Sequence, residues 1–246
     1  MIAAFSGIAT LAFVLVSAGV GVRLLWLARR TRAVPELALG VAFFAVGAIG
    51  YPVGLLAILP GTSELPARAL FVLANLATGL GSAAVFVFTR SVFRPDARWA
   101  GALVVAASAV LAVQVAFGVA RALTASPASF AEADFGFSVR QAVTALSYGW
   151  TALEALRYRA LLVRRLAIGL ADVVVVNRFL LWAIAGGGAF VGSSVMSTVS
   201  LTGATPWEDP VALLAVGLGG FVAAICAGLA FLPPRAYRVW LEGRAV

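Results

Sequence analysis

The feature that most constrains this chain is a series of seven long apolar runs, separated by short segments rich in arginine, proline and acidic residues. Crossing a bilayer as a helix takes ~20 mostly apolar residues, which is about the length of each run. The runs lie near residues 4–28, 37–59, 67–89, 99–121, 139–160, 173–197 and 210–232. The sequence therefore predicts an all-α, polytopic membrane protein, with residues 1–246 forming a single seven-helix bundle.

The composition excludes a soluble domain. The chain is 63% hydrophobic and 11% charged, with a mean hydropathy of +1.04, which water-soluble domains do not sustain. Its net charge of +8 would favour nucleic acid as the partner of a soluble protein, but in a membrane protein such charge reports loop orientation. We expect the bilayer as the partner, and no nucleic acid. The use of arginine without lysine, together with abundant alanine, valine and glycine, favours a bacterial or archaeal genome, and we expect a bacterial protein of the cytoplasmic membrane.

The arginines predict the orientation. Fifteen of the eighteen arginines lie on one predicted side of the membrane, near the ends of the odd-numbered runs or the starts of the even-numbered runs. The other three, Arg68, Arg121 and Arg140, lie on the opposite side. Cytoplasmic loops carry the excess of positive charge in membrane proteins, so we expect an outside N-terminus and a cytoplasmic C-terminus. The first run is expected to be retained, because its arginines follow the apolar residues, whereas a signal peptide carries its charge before them.

Seven helices with an outside N-terminus make the chain similar, at the level of topology, to microbial rhodopsins and G-protein-coupled receptors. The resemblance implies a helix bundle and no particular chemistry. Retinal binds through a Schiff base to a lysine of the last helix, but this chain contains no lysine. The last run offers Leu218, Gly219, Phe221, Ala224 and Cys226 instead. We therefore expect no covalent retinal, and no other cofactor.

The residue inventory also argues against an enzyme. The chain has no histidine, so zinc-hydrolase motifs, Ser-His-Asp triads and His-ligated haem cannot be built. Asp96 and Asp172 do not lie deep in a run, which removes the paired aspartates of an intramembrane protease. The only cysteine, Cys226, excludes a disulfide within the chain. We expect neither catalytic residues nor a metal site.

The fifth run differs from the other six because polar residues recur along it at steps of three and four. This spacing places them on one helical face, which should point into the bundle. The face consists of Arg140, Gln141, Thr144, Ser147, Tyr148, Thr151, Glu154 and Tyr158. Glu154 has two interpretations. It forms an ion pair with a nearby arginine such as Arg157 or Arg159 at the membrane edge, or it is a functional group, either a proton or cation site or a polar anchor in a cavity.

Further polar residues on other runs are candidates to join this face. Asn75 and Thr78 lie on the third run and Gln114 on the fourth, where they either form interhelical hydrogen bonds or contact a ligand. Tyr51 precedes Pro52, whose kink could open a pocket wall, although Gly50 and Gly54 also fit close helix packing. The predicted cavity-lining set is Gln141, Thr144, Tyr148, Thr151, Glu154, Asn75, Thr78, Gln114 and Tyr51.

A second candidate surface lies on the predicted cytoplasmic side. Arg164 and Arg165 end the fifth run, and Arg178 lies one turn into the sixth, close to Asp172, which can cap that helix. Clustered arginines at this level bind anionic lipid or a cytoplasmic protein partner. The alternative is ordinary solvated charge that only fixes the orientation.

These features favour a receptor-like or sensor-like protein that binds a small or lipidic ligand within the bundle and acts through a separate partner. The alternatives are a transporter or channel for a small solute or proton, and a packing subunit of a larger membrane complex. Space beside Tyr148 and Thr151 favours the first two, and solid packing there favours the third. The sequence leaves the ligand and the oligomeric state open.

Overall fold

The computed structural model describes residues 2–59 and 61–243, which form an all-α protein of seven long helices and one short one. The helices are α1 (Ile2–Thr31), α2 (Val34–Ala57), α3 (Glu64–Phe93), α4 (Arg98–Thr124), α5 (Phe135–Leu166), α6 (Val173–Leu201), α7 (Pro210–Phe231) and α8 (Arg235–Glu242). A 3₁₀ turn at Pro127–Ala131 lies between α4 and α5. Arg244, one of the predicted cytoplasmic arginines, is outside the described residues.

Six of the long helices, α1 to α4, α6 and α7, are apolar enough to cross a membrane, and they identify a multi-pass membrane protein. Helix α5 has 32 residues and is also long enough, but its polar face lowers its hydropathy below that of a typical span. The helices α1 and α6 continue beyond the predicted runs, because backbone hydrogen bonding does not stop where the hydrocarbon ends.

Each long helix packs against the next along the chain, and the contact of α7 with α1 closes the bundle. Helix α3 contacts α2, α4 and α5, and it is the most buried of the six apolar helices, whereas α4 is the least buried. The end of the bundle at which α1, α3 and α5 finish is called the arginine-rich end here. The connections 125–134 and 202–209 lie at the opposite end.

Three aspartates fix the starts of the last long helices. A side-chain oxygen at the N-cap satisfies backbone N–H groups that have no partner within the helix. The Asp134 carboxylate accepts from Phe137 N at 2.6 Å, Asp172 from Val174 N at 2.7 Å, and Asp209 from Val211 N and Ala212 N at 2.9 Å. The predicted cap at Asp172 is confirmed.

Glycines let the helix backbones approach closely. The middle of α2, Phe43–Gly50, is π-helical and ends two residues before Pro52. A Cβ atom at Gly47 in this segment would lie 2.3 Å from Ser17 Cβ of α1, so only glycine fits. The sequence predicts a kink at Pro52, and the structure places a widened helical turn before it, a form that often marks functional sites.

Aromatic side chains fill the bundle toward the arginine-rich end. The Trp182 ring of α6 stacks on Phe88 of α3 with a centroid distance of 5.0 Å, and it meets Phe231 of α7 edge-on at 5.3 Å. Phe43 of α2 completes the cluster at 6.4 Å from Trp182. This half of the bundle is therefore largely closed, and the open space lies nearer the opposite end.

Candidate functional site

A cavity of about 200 Å³ lies inside the bundle and is lined by residues of all seven long helices. At one end, the cavity is lined by Phe130 and Glu132 of the connection between α4 and α5 and by Trp207 of the connection between α6 and α7. Because these connections lie at the end opposite the arginine-rich end, the cavity reaches that surface of the protein. Both polar and aromatic groups form its walls.

Seven of the nine residues of the predicted cavity-lining set border this cavity. They are Tyr51, Asn75, Thr78, Gln114, Gln141, Thr144 and Tyr148. Thr151 borders a second, smaller cavity instead, and Glu154 borders neither of the two. The periodicity of α5 thus brings its first half to open space, but its last turns face other side chains. A role of these residues in binding stays a prediction.

Part of the polar face of α5 forms hydrogen bonds with α3. Thr144 Oγ1 lies 3.0 Å from Ser82 Oγ, and two turns further on Thr151 Oγ1 lies 2.5 Å from Thr89 Oγ1. All four hydroxyls are buried. From the sequence alone, such small polar side chains could bind either a ligand or a neighbouring helix. The Thr151 hydroxyl forms an interhelical hydrogen bond.

Glu154 is held in an ion-pair cluster at the arginine-rich end. Its Oε1 accepts from Arg94 Nε at 3.0 Å, Arg157 Nη1 at 3.2 Å and Trp150 Nε1 at 3.4 Å. The hydrogen bond to this carboxylate raises the pKa of Arg94, which lies just beyond the end of α3. The geometry matches the first interpretation of Glu154 with Arg157 as its partner, whereas Arg159 forms no ion pair in the described ranges. The pairing with Arg94 was not predictable from the sequence, since no local spacing relates residues 60 positions apart.

Arg140 of α5 is a cavity residue that the sequence placed on the polar face but not among the candidate ligand contacts. Its Nη1 donates to Asn75 Oδ1 of α3, and its guanidinium lies 5.3 Å from the centre of the Phe137 ring. Asn75 is oriented for this bond because its own amide donates to Phe71 O at 2.8 Å. Within residues 2–59 and 61–243, no carboxylate lies within ion-pair distance of Arg140.

Several other polar side chains on the cavity wall have hydrogen-bonding capacity that the bundle does not use. They are the amides of Gln114 and Gln141 and the hydroxyls of Tyr51 and Tyr148, none of which bonds to another residue in the described part of the chain. Gln114 lies against the start of α5, where a Cβ atom on Gly136 would come within 2.9 Å of its Oε1. Gly136 therefore leaves room for this amide.

The charges at the mouth of the cavity are largely compensated. Arg121 Nη1 lies 2.8 Å from Asp134 Oδ2, and Arg121 Nη2 donates to the Ser129 carbonyl oxygen at 2.5 Å. Glu132 is exposed at the rim. Of the two arginines that line the cavity, Arg121 therefore has an ion-pair partner, whereas Arg140 has none among the described acidic residues.

The second cavity, of about 80 Å³, continues toward the arginine-rich end. It shares Phe13, Val46 and Tyr148 with the first cavity and ends at the aromatic cluster around Trp182. Its walls are almost wholly apolar, and the hydroxyls of Tyr148 and Thr151 are among the few polar groups that line it. Such a surface accepts an apolar group far better than an ion.

The second candidate surface is exposed. Arg164 and Arg165 form the last turn of α5, and Arg178 lies on α6, each open to its surroundings. Asp172, which the sequence places near enough to pair with Arg178, forms no ion pair in the described ranges. Helix α8 packs beside α6, where Tyr237 Oη accepts from Asn177 Nδ2 at 2.7 Å. Binding of lipid or a partner here stays a prediction.

Comparison of the chain with protein-family models, with curated proteins and with solved structures finds no match in any of the three.

Proposed function

We propose that this protein is a seven-helix membrane receptor or sensor that binds a small or lipidic ligand in the larger cavity. The observation that carries the proposal is the wall of that cavity, where polar groups of α2, α4 and α5 that have no hydrogen-bond partner in the described structure lie among aromatic rings. A concave, mostly apolar pocket with a few convergent polar groups is the usual form of a small-molecule site. Ligand binding in the cavity would act on a separate partner that contacts the arginine-rich end.

The side-chain contacts between α3 and α5 support the proposal that α5 is the seventh span. Four hydrogen bonds join α3 and its C-cap to α5, in the same order along both helices. They link Asn75 to Arg140, Ser82 to Thr144, Thr89 to Thr151 and Arg94 to Glu154. The two helices therefore run side by side and in the same direction. At 1.5 Å per residue these contacts cover about 28 Å of α3 and about 21 Å of α5, which is most of the ~30 Å hydrocarbon core. If α3 spans the bilayer, α5 spans it too.

The proposed orientation has the arginine-rich end in the cytoplasm and the cavity mouth outside, in the cytoplasmic membrane of a bacterium. A ligand would then enter from the outer face, and Arg164, Arg165 and Arg178 would meet anionic lipid or a cytoplasmic protein. Helix α8 would lie along the inner membrane surface, with Val239 exposed on one side and Leu241 buried on the other. This is the arrangement that the resemblance to seven-helix receptors implies.

The orientation can be measured with single cysteines in a chain from which Cys226 has been replaced by alanine. Cysteine at position 132, in the connection before α5, is expected to react in whole cells with a membrane-impermeant maleimide. Cysteine at position 168, an exposed site after α5, is expected to react only after the membrane is broken. Labelling of position 168 alone in whole cells would reverse the proposed topology.

Access to the cavity gives the test of the binding proposal. Thr78→Cys places a thiol on the cavity wall, and it is expected to react with a charged, water-soluble methanethiosulfonate added from outside, because only hydrated thiols ionise readily. Leu80→Cys is the matched control, two residues further on α3 and exposed on the opposite side, where lipid should shield it. Equal, slow reaction of both would favour the packing-subunit alternative.

A transporter is the second candidate function, because the two cavities share a wall and extend in sequence through the bundle. Two features argue against a transporter: the second cavity is apolar, and the aromatic cluster around Trp182 closes the end of it that points to the arginine-rich end. A hydrated ion crossing this region would lose its water without replacement ligands. The geometry therefore supports binding in a blind pocket better than passage.

A further inference from the structure

The three arginines at the end of the bundle where the cavity opens differ in how their charges are compensated. Arg68 Nη2 lies 2.7 Å from Glu64 Oε1, and Arg121 Nη1 lies 2.8 Å from Asp134 Oδ2. Arg140 has the Asn75 amide oxygen as its polar contact, and over the described ranges no carboxylate completes an ion pair with it. The two acidic groups that face the same cavity are Asp134, already bound by Arg121, and Glu132, exposed at the rim.

The position of Arg140 makes its retention costly for the fold. It lies in the second turn of α5 and lines the larger cavity, whose wall is mostly apolar. The Phe137 ring offers the guanidinium a weak cation–π contact, but no carboxylate lies within ion-pair distance in the described ranges, and such a charge inside a bundle is unfavourable. A bound anion would offset this cost, since a carboxylate or phosphate pairs with guanidinium through short, charge-assisted hydrogen bonds.

Neighbouring groups complete a site for such an anion. The amides of Gln114 and Gln141 line the same cavity and can donate to an oxygen beside Arg140. The remaining wall is mostly apolar and includes the aromatic rings of Phe13, Phe71 and Trp207. Beyond Tyr148 the apolar second cavity extends the space for a hydrocarbon group.

We propose that the ligand of this protein is an amphipathic organic anion, whose carboxylate or phosphate binds Arg140 and whose apolar body lies along the aromatic wall. The inference rests on the proposed function, because it names the ligand class of the same cavity. Two sources can supply this chemistry: a free amphipathic acid from the outer medium, and the headgroup of an anionic lipid. The experiment separates them.

The test uses the full chain in nanodiscs of zwitterionic lipid, with decanoate as the anion and decanol as its neutral counterpart. At about pH 8 the free carboxylate is ionised. The wild type is expected to bind decanoate about tenfold more tightly than decanol, measured by calorimetry against empty nanodiscs. Arg140→Gln is expected to remove this preference and to leave decanol binding unchanged, because removing a buried charge partner acts on the anion alone.

Two further variants separate ligand binding from a structural role of the arginine. Asn75→Asp keeps Arg140 and supplies an internal carboxylate at its existing contact, so it should stay folded yet lose the preference for decanoate. Arg98→Gln removes the same charge from an exposed site at the arginine-rich end and should bind both probes as the wild type does. Arg140→Lys should retain an intermediate preference, because the charge remains but the planar guanidinium does not.

The source of the anion is tested by repeating the measurements with phosphatidylglycerol in the nanodisc. A rise in the unfolding temperature of the wild type but not of Arg140→Gln would identify a lipid headgroup as the ligand. If neither decanoate nor phosphatidylglycerol gives an effect that depends on Arg140, the anion proposal is overturned. If decanol and decanoate bind equally, the anion proposal fails but the proposed ligand-binding function of the cavity stands. If decanol does not bind and the thiol of Thr78→Cys does not react, the proposed ligand-binding function fails as well.

Discussion

Replacing Gly219 with alanine is expected to lower the free energy of unfolding by about 3 kcal/mol, at the upper end of the cost of overpacking. A Cβ atom at this position of α7 would lie 2.5 Å from the carbonyl oxygen of Gly188 and 3.1 Å from its carbonyl carbon. Both atoms belong to the backbone of α6 and cannot rotate away. The two helices must therefore separate along their contact. Unfolding of the purified protein in mixed micelles measures the change.

Gly220→Ala and Gly187→Ala are the matched controls, one on each of the two helices. A Cβ atom at either position meets no other atom within 4 Å. Their effects on the free energy of unfolding should stay within about 0.5 kcal/mol, as for ordinary substitutions away from close contacts. If Gly219→Ala proves as harmless as these two, the close approach of α6 to α7 is incorrect.

The small-residue pattern of α6 and α7 is an example of a feature that could be predicted from the sequence. Runs of glycine in two neighbouring apolar helices indicate that their backbones approach, because small residues at a helix contact let the two backbones come close. The pattern does not say which glycines meet. Gly188 and Gly219 face each other, whereas Gly187 and Gly220 do not, and this depends on helix rotation within the bundle.

The helices themselves follow from the apolar runs, but their ends and irregular turns do not. Hydropathy marks where hydrocarbon surrounds the chain, and α6 continues past residue 197 to Leu201 because its backbone hydrogen bonds continue. The π-helical segment Phe43–Gly50 depends on packing against α1 and α3, to which local sequence gives no access. Helix α8 could have been predicted from Tyr237, Trp240 and Leu241, which recur at steps of three and four.

The candidate site shows the same division between local and tertiary information. The spacing along α5 placed Gln141, Thr144 and Tyr148 on one face, and that face borders the cavity. The partners of the face come from α3 and were not predictable, since no periodicity within one helix identifies the residue opposite. For Arg140 the spacing predicts only that it belongs to the polar face, because an arginine near a helix end is usually an interfacial charge.

Removing both arginines that contact Glu154, in the variant Arg94→Ala/Arg157→Ala, is expected to lower the free energy of unfolding by about 3 kcal/mol. The Glu154 side chain is 4% exposed, whereas Arg94 and Arg157 are 39% and 65% exposed. Without them the carboxylate keeps the Trp150 indole as its remaining hydrogen-bond donor in the described structure. A charge left buried without its partners costs roughly 3–5 kcal/mol, and water near the arginines places the result at the lower end.

Adding Glu154→Gln to that double variant separates the burial of the charge from the loss of arginine packing. The amide keeps the shape of the side chain without its charge, so the triple variant should recover at least half of the lost stability. Arg157→Ala alone should cost less than about 1 kcal/mol, because a pair with an exposed partner is weak. A triple variant no more stable than the double would show that the arginine stems, not the carboxylate, carry the effect. Recovery would instead assign Glu154 a structural ion pair joining α5 to the end of α3, which leaves ligand binding to the opposite half of the bundle.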